Sequence, residues 1–232
     1  MKIIFLNLWG AKIKKNLAEF LKSQSHNTDI FCLQEVYGEA KSLLIDCLSD
    51  FKEVSATKPM AFGNNFFAQA TYIKENIPII SSDTLLENEN ESGLGLSVYI
   101  SFKGKDLHIC NFHGLTFAED DDKLDTSTRL FQSELIIKNF EKKSGLKIIG
   151  GDFNILPQAE SIKMFEKKGY TDLIKKYHIT TTRSRIALKK YPGHEEYFSD
   201  YVFISPDVKL KKFSVPSLEI SDHLPLILEI DV

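Results

Sequence analysis

The stretch Ser221-Asp222-His223-Leu224-Pro225-Leu226-Ile227-Leu228-Glu229-Ile230 sets a carboxylate and an imidazole directly before an apolar run. That run has the length and the Leu/Ile content of a buried strand, and it predicts one over residues 224–230. An isolated Asp-His pair is usually surface or capping chemistry. Here polar residues also mark the ends of other predicted strands, and this repetition indicates catalysis.

Further apolar runs of strand length occur along the chain, and several are almost continuously hydrophobic. They cover residues 2–6, 29–33, 94–102, 107–112, 146–149 and 201–204, and a strand pair is predicted with less regular alternation over 64–82. Continuous hydrophobicity predicts strands that are covered on both faces. Amphipathic helices are predicted over residues 13–21, 40–48, 126–142 and 158–168.

Mixed helices and strands favour an α/β sandwich over an all-β barrel. No Pro/Gly/Ser-rich linker divides the sequence, so residues 1–232 are predicted to form one domain. The hydrophobic share of 43% and charged share of 26% are ordinary for a globular protein.

The formal net charge of −3 argues against a protein that grips nucleic acid by bulk attraction, although a local basic patch stays open. Three cysteines, an odd number, lie in predicted apolar elements and are expected to be buried thiols, which suits a reducing compartment. The amino-terminal apolar run is too short for a signal-peptide core, and no run approaches the ~20 residues of a membrane span. A cytoplasmic protein is the default expectation.

Polar residues stand at the ends of six predicted strands. Asn7, Glu35, His113 and Asp152 follow the carboxyl ends of strands, whereas Asp200 and His223 precede amino ends. If all six share one rim, the last two strands run opposite to the first four, and the sheets are mixed or antiparallel.

Asn7, Glu35 and Asp222 are candidate metal ligands. They offer only oxygen, and few oxygens, which suits Mg²⁺ or Mn²⁺ that keeps waters for substrate oxygens. Zinc is disfavoured because no Cys/His cluster has ligand spacing. A cation so held would polarise a phosphoryl group.

Asp152 and Asn154 stand two apart in Gly150-Gly151-Asp152-Phe153-Asn154. In an extended turn both would point one way while Phe153 anchors the other side. The pair is expected to hold a water, with Asp152 as base and Asn154 orienting it for in-line attack on phosphorus.

Asp200 and His223 form a second pair. A carboxylate bonded to one imidazole nitrogen fixes the tautomer and favours the cation, whose other N–H then stabilises a phosphoryl oxygen. His113 is expected to be a second such donor, and neither histidine is expected to ligate metal.

The ordered motifs resemble the endonuclease/exonuclease/phosphatase family, which includes pancreatic-type deoxyribonucleases, exonuclease III-like repair enzymes, inositol polyphosphate 5-phosphatases and neutral sphingomyelinases. They are Asn7, Gln34-Glu35, Asn111-Phe112-His113-Gly114, Gly151-Asp152-Phe153-Asn154, Ser199-Asp200-Tyr201 and Ser221-Asp222-His223. The match covers essentially the whole chain.

The resemblance implies a four-layer α/β sandwich with two mixed β-sheets face to face, helices on the outer faces, and Mg²⁺-dependent cleavage of a phosphoester. By this resemblance Glu35 is the principal metal ligand, with Asn7 and Asp222 near the ion. Asp152 and Asn154 handle the nucleophilic water, while His113, Asp200 and His223 bind the scissile phosphate.

Departures from the family bear on the substrate. Repair endonucleases carry Arg-Ile/Leu-Asp-Tyr preceded by Trp, whereas this chain has Phe198-Ser199-Asp200-Tyr201 and a single tryptophan, Trp9. They also commonly carry Tyr where His113 stands, so an abasic-site endonuclease is disfavoured. His113 suits deoxyribonuclease, phosphatase, sphingomyelinase and tyrosyl-DNA phosphodiesterase branches and does not choose among them.

Three surface features carry weaker hypotheses. Arg183 and Arg185, with Lys189, Lys190 and Tyr191, form a basic patch that is interpreted as steering phosphate or as a solvated loop. The acidic run 119–122 is expected to be a solvated loop rather than a second cation site. Asn64 or Asn65 is a weak candidate to line the cleft, because Gly63-Asn64-Asn65 is an ordinary turn signal.

The sequence therefore predicts a Mg²⁺- or Mn²⁺-dependent phosphodiesterase that acts without a covalent intermediate, as a monomer. A nuclease or DNA-end-processing enzyme acting on DNA or RNA is favoured on family frequency alone. Phosphatase or sphingomyelinase activity on inositol phosphates or phospholipids stays open. The alternative from another class is an inert phosphate-binding module, which would be expected to have lost a metal or base residue.

Overall fold

Two six-stranded β-sheets form the centre of the computed structural model, which describes residues 1–60, 66–89, 93–115, 123–190 and 197–232. The strands are β1 (Lys2–Asn7), β2 (Ile30–Gln34), β3 (Phe51–Pro59), β4 (Phe66–Lys74), β5 (Ile79–Leu85), β6 (Leu94–Phe102), β7 (Lys105–His113), β8 (Leu146–Asp152), β9 (Thr171–Asp172), β10 (Asp200–Ile204), β11 (Lys209–Ser214) and β12 (Leu226–Asp231). The helices are α1 (Lys14–Ser25), α2 (Glu39–Cys47), α3 (Ser127–Glu141), α4 (Glu160–Lys167), α5 (Leu173–Lys176) and α6 (Arg185–Lys190), and a 3₁₀ turn covers Trp9–Ala11.

Both sheets are mixed. The first sheet has the order β11-β12-β1-β2-β4-β3, and the second has the order β5-β6-β7-β8-β10-β9. β1 runs parallel to β2 and antiparallel to β12, while β7 runs parallel to β8 and β8 antiparallel to β10. The predicted reversal of the last two strands is confirmed.

Alternate residues of β1 enter two different hydrophobic clusters because strand side chains alternate between faces. Ile3 and Phe5 belong to a cluster shared with the second sheet, α3 and α4. Ile4 and Leu6 belong to a cluster with α1 and α2. The first sheet is thus covered by the second sheet on one face and by helices on the other, and the predicted α/β sandwich is confirmed.

One expectation about the elements was wrong. The described part of residues 64–82 does not form a strand pair: β4 joins the first sheet between β2 and β3, whereas β5 joins the second sheet beside β6. Of the two interpretations of the basic patch, the solvated loop does not describe Arg185–Lys190, which form α6.

The three cysteines are buried and free, as expected. Among the described residues, none of the helices has both the length and the apolar character that a membrane crossing requires.

Candidate active site

The candidate residues lie where the ends of strands from the two sheets come together. Asn7 ends β1 and Glu35 follows β2 in the first sheet. His113 ends β7, Asp152 ends β8 and Asp200 begins β10 in the second sheet. Asp222 and His223 lie in the turn that precedes β12.

Asn7 joins the two sheets through its amide. The side-chain NH₂ donates to Glu35 Oε1 at 3.2 Å and to Asp152 Oδ2 at 2.9 Å, and Asn7 itself is fully buried. Its Oδ1 accepts the backbone N–H of Trp9 at 2.9 Å, which fixes which way the amide faces. Asn7 therefore sets the separation of the candidate metal ligand from the candidate base.

Glu35 adopts a left-handed backbone with φ of 56°, which is rare for a residue with a long side chain. This conformation turns the chain directly after β2. Glu35 Oε2 accepts the Tyr37 hydroxyl at 2.6 Å. Burial and nearby carboxylates raise the pKa of Tyr37, so its phenol stays a donor. Sequence reasoning missed Tyr37, although its place two residues beyond Glu35 was the available signal.

The turn after β8 is tighter than the extended turn that the sequence predicts. Asn154 has a left-handed φ of 53°, and its backbone N–H donates to Asp152 Oδ1 at 3.0 Å. Its side-chain NH₂ donates to the Gly114 carbonyl at 3.3 Å. Phe153 does anchor the opposite side, in edge contact with four rings: Phe112, Phe165, Tyr201 and Phe203.

Gly151 is required by the pairing of β7 with β8. Its φ is +131°, and a β-carbon there would lie 2.1 Å from the Phe112 carbonyl oxygen. Only glycine fits, because any other side chain would force the strands apart and displace Asp152.

Asp200 and His223 are in contact. His223 Nδ1 lies 2.9 Å from Asp200 Oδ2, and His223 Nε2 lies 3.6 Å from Asp152 Oδ2. All three side chains are buried. The imidazole thus lies between the Asp200 carboxylate at the start of β10 and the Asp152 carboxylate at the end of β8.

Arg183 reaches the site through a backbone bridge to His223. Its Nη2 donates to Asp222 Oδ2 at 3.0 Å, and its Nη1 contacts the His223 ring. The Arg183 side chain is 10% exposed, so its charge acts at low dielectric. Arg185, by contrast, is exposed at the start of α6.

His113 is buried, and neither of its ring nitrogens is hydrogen-bonded within the part of the chain that the structure describes. Its Nε2 lies 3.8 Å from Asp152 Oδ2, and its ring meets Phe67 edge to face at 5.0 Å. Buried polar groups without partners are rare because each costs free energy. A ligand that accepts a hydrogen bond from His113 would remove that cost.

Opposing charges set the protonation states here. Burial raises the pKa of Asp152, but positive charge on His223, His113 and Arg183 outweighs it and lowers the pKa to about 2. Burial raises the pKa of Asp200, and the Asp152 carboxylate adds to this effect. Burial and Arg183 favour neutral His223, but the surrounding carboxylates outweigh them and raise its pKa.

The oxygen donors fit a hard divalent cation. Glu35 Oε1 and Oε2 each accept one hydrogen bond, which leaves further lone pairs on this half-buried carboxylate. Asp222 adds carboxylate oxygens, one of which already accepts from Arg183. Asn7 turns its NH₂ toward Glu35, and its Oδ1 accepts from Trp9. Within the described ranges, Asp152, Asp200 and His223 form another group, whose ligand atoms lie within 4.8 Å of one another. In this second group His223 Nδ1 already engages Asp200, and His223 Nε2 contacts Arg183.

Some residues that the sequence analysis singled out lie outside the described parts of the chain. These are the acidic run 119–122, Asn64, Asn65 and Tyr191.

A protein-family model described as the endonuclease/exonuclease/phosphatase family matches residues 4–223. The chain belongs to this family, whose members are hydrolases acting on phosphoesters. The search of curated protein sequences found no match.

Solved structures share the fold at low sequence identity. An endonuclease/exonuclease/phosphatase from Bacteroides vulgatus has a TM-score of 0.78 and 16% identity, with 100% of this chain and 98% of that chain covered. The mannosyl-6-phosphatase Bt3783 of Bacteroides thetaiotaomicron has a TM-score of 0.76 and 15% identity, with both chains fully covered. The catalytic domain of human Nocturnin with bound sulfate has a TM-score of 0.75 and 16% identity, covering 100% of this chain and 93% of that one.

Proposed function

We propose that the protein is a Mg²⁺-dependent phosphodiesterase, a nuclease or DNA-end-processing enzyme, in which water attacks phosphorus without a covalent intermediate. The observation that carries the proposal is the environment of Asp152. Asp152 is 1% exposed, and its carboxylate accepts from Asn7 at 2.9 Å and has His223 and His113 within 3.8 Å. A buried, ionised carboxylate between a metal-ligand candidate and two imidazoles suits activation of a water beside a phosphate.

Asp152 is assigned to orient the attacking water and to accept its proton. A pKa of about 2 keeps Asp152 ionised at neutral pH, so it is always ready to accept a hydrogen bond. The same pKa makes it a weak base, and the proton moves only as the oxygen–phosphorus bond forms. Asn154, held by its bonds to Asp152 and Gly114, is assigned to orient the same water.

His113, His223 and Arg183 are assigned to the scissile phosphate. The buried ring nitrogens of His113, which make no hydrogen bond to any described residue, support this role. Asp200 and the neighbouring carboxylates outweigh burial and raise the pKa of His223, which favours the imidazolium. Arg183 adds a planar donor that suits phosphate oxygens. Arg185 is assigned to attract substrate from the exposed surface of α6.

Glu35, with Asn7 and Asp222, is assigned to hold Mg²⁺ or Mn²⁺. A divalent cation there would neutralise charge developing on the leaving oxygen. Tyr37 orients Glu35 through the 2.6 Å hydrogen bond.

Phosphatase activity is the second candidate, and the structural likeness to a mannosyl-6-phosphatase favours it over sphingomyelinase activity. An inert binding module is disfavoured, because each proposed catalytic residue is present. We further propose one domain over residues 1–232, a monomer, and a cytoplasmic location, the last supported by three buried free cysteines.

A substrate panel tests the proposal. Wild-type protein with Mg²⁺ is assayed on bis(p-nitrophenyl) phosphate, single-stranded and duplex DNA, RNA, inositol phosphates, mannose 6-phosphate and sphingomyelin. Glu35→Gln serves as the blank, and Glu53→Gln is the matched control because Glu53 also accepts a tyrosine hydroxyl, that of Tyr72 at 2.8 Å. The proposal is supported if the wild type hydrolyses a nucleic acid, Glu35→Gln does not, and Glu53→Gln retains the activity. No hydrolysis of any phosphoester contradicts it.

A further inference from the structure

Thr182 is a fully buried polar residue in the turn between α5 and α6, and it touches none of the groups assigned to metal or water. Its Oγ1 accepts two backbone N–H groups, that of Ser199 at 3.0 Å and that of Asp200 at 3.1 Å. Successive N–H groups of an extended strand point to opposite edges, so the chain bends where both donate to one oxygen. The Thr182 hydroxyl therefore lies at the point where β10 begins.

The start of β10 has different neighbours on its two edges. On one edge Asp200 pairs with Asp152 of β8. On the other edge β9 pairs with the far end of the strand, at Phe203 and Ile204. Because buried N–H groups need acceptors, the side chain of Thr182 takes the place of a neighbouring strand at the near end.

Ser199 links this bend to the turn that carries the candidate base. Its N–H donates to Thr182, while its carbonyl accepts the N–H of Phe153 at 2.7 Å. Phe153 stands directly between Asp152 and Asn154. The Thr182 hydroxyl is thus one backbone link away from the Asp152 turn.

The main chain of Thr182 contacts the segment ahead of β12. Its carbonyl accepts the N–H of Leu224 at 2.8 Å, and the next residue, Arg183, forms a backbone bridge with His223. The side chains of Asp200 and His223 meet at 2.9 Å. Thr182 therefore holds Asp200 through its hydroxyl and the His223 segment through its main chain.

We propose that Thr182 is a positioning residue for the pair of Asp200 and His223. Its hydroxyl fixes the backbone of Asp200 and so directs the Asp200 carboxylate at His223 Nδ1. The inference rests on the proposed function, in which His223 donates to the scissile phosphate. A β-branched side chain has few χ1 rotamers, so threonine holds its hydroxyl in one direction. Valine keeps the branched shape with a methyl group in place of the hydroxyl, so Thr182→Val removes the acceptor.

Steady-state kinetics on bis(p-nitrophenyl) phosphate with Mg²⁺ provide the first test, at a temperature where circular dichroism shows each variant folded. Thr182→Val is expected to lower kcat by about 10-fold with little change in KM, because a misplaced catalytic group loses transition-state contacts. Thr182→Ser keeps the acceptor and should retain most of the activity. Thr28→Val is the matched control, because Thr28 is also fully buried and its hydroxyl makes no hydrogen bond within the described residues.

A double-mutant cycle tests whether Thr182 acts through Asp200. In Asp200→Asn protein the carboxylate that Thr182 positions is already gone. Thr182→Val should therefore lower kcat much less in that protein than in the wild type. The same fold-loss in both would overturn the inference, because Thr182 would then act on the structure in general.

Proton NMR gives a readout that needs no turnover. The proton on His223 Nδ1 is buried against a carboxylate, so we expect a low-field resonance that His223→Gln removes. Thr182→Val should shift or abolish it, while Thr182→Ser and Thr28→Val keep it. If Thr182→Val does not fold, Thr182→Ala takes its place, since it also lacks the acceptor.

An unchanged resonance in Thr182→Val, or equal losses in Thr182→Val and Thr182→Ser, would overturn the inference. So would a loss of kcat in Thr28→Val as large as that in Thr182→Val. Wild-type protein that hydrolyses no phosphoester, with a resonance that still responds to Thr182→Val, would contradict the proposed function and support the positioning of the pair by Thr182.

Discussion

Tyr37 contributes to the candidate metal site through its hydroxyl and to the fold through its ring. It is half-buried, its ring packs on Gly10 and Phe66, and its hydroxyl donates to Glu35 at 2.6 Å. Removing only the hydroxyl leaves the packing and frees one carboxylate oxygen to rotate. Partners that orient a metal ligand typically contribute 10–100-fold to metal affinity.

Tyr37→Phe is therefore expected to weaken Mn²⁺ binding by about 10-fold, measured by titration calorimetry, while the thermal transition changes little. Tyr72→Phe is the control, because Tyr72 donates to Glu53 at 2.8 Å. Equal Mn²⁺ affinity in Tyr37→Phe and wild type would show that the hydroxyl does not position Glu35.

For single residues, the sequence predicted that polar side chains lie at strand ends, but it did not predict how these side chains contact one another. Polar residues at strand ends were recognisable because apolar runs stop there. Arg183 was grouped with Arg185 as surface charge. The structure separates them, since a backbone bridge to His223 buries Arg183 while α6 leaves Arg185 exposed.

Two aspartates cap helices with opposite consequences for stability. Asp172 caps α5, accepting from Ile174 and Lys175, and burial outweighs these bonds and raises its pKa to about 6. Asp125 caps α4 rather than α3, where Thr126 is the cap. Burial raises the pKa of Asp125, but its bonds to Ser161 and Glu160 outweigh burial and lower it.

Between pH 4 and 6 the native state holds a proton on Asp172 that the unfolded state has released, so this group lowers stability as pH rises. Asp172→Asn keeps the cap and removes the titration. We expect the variant to match wild type near pH 4 and to exceed it at pH 7 by about 1–3 kcal/mol in urea unfolding. A constant difference across this range would contradict the assignment.

Asp125→Asn should behave in the opposite way. The folded carboxyl has the lower pKa, so its stabilisation is present above the unfolded pKa and is lost as pH falls through the folded pKa. The variant should be less stable than wild type at pH 7, and the difference should shrink on acidification. Urea unfolding at pH 7 and pH 3 measures this, and a difference that grows on acidification would refute it.

Among the elements, central strands were predictable and edge strands were not. β1, β2, β8 and β10 are covered on both faces and read as apolar runs. β3 and β11 are the edges of the first sheet, and exposed residues break up their pattern. The error over residues 64–82 has a related cause, because sequence alternation does not specify which sheet a strand joins.

At the scale of the molecule, the site is shared between the sheets. The first sheet and its flanking turns supply Asn7, Glu35 and Asp222, and the second supplies His113, Asp152 and Asp200. The link from Asn7 to Asp152 and the link from His223 to Asp200 both cross between sheets. A cation bound to this arrangement should therefore stabilise the whole fold.

We expect Mn²⁺ at about 100 times its Kd to add about 2.7 kcal/mol of stability, and to raise Tm by roughly 5–10 °C for a chain of this length. Differential scanning calorimetry measures this. Glu35→Gln should lose most of the increase, and Glu53→Gln should keep it. A Tm that does not respond to Mn²⁺ or Mg²⁺ would contradict a metal site between the sheets.

Asp152 is proposed to activate water in a metal-dependent phosphoesterase, and kcat for bis(p-nitrophenyl) phosphate measures that role. Wild type should turn over with Mg²⁺ and stop with EDTA. Asp152→Asn should lose roughly 10²–10⁴-fold in kcat with an unchanged circular dichroism spectrum, while Asp207→Asn, an exposed aspartate, retains activity. A wild-type rate in Asp152→Asn would show that Asp152 does not activate the water, and hydrolysis that is indifferent to Mg²⁺ would show that the reaction needs no metal.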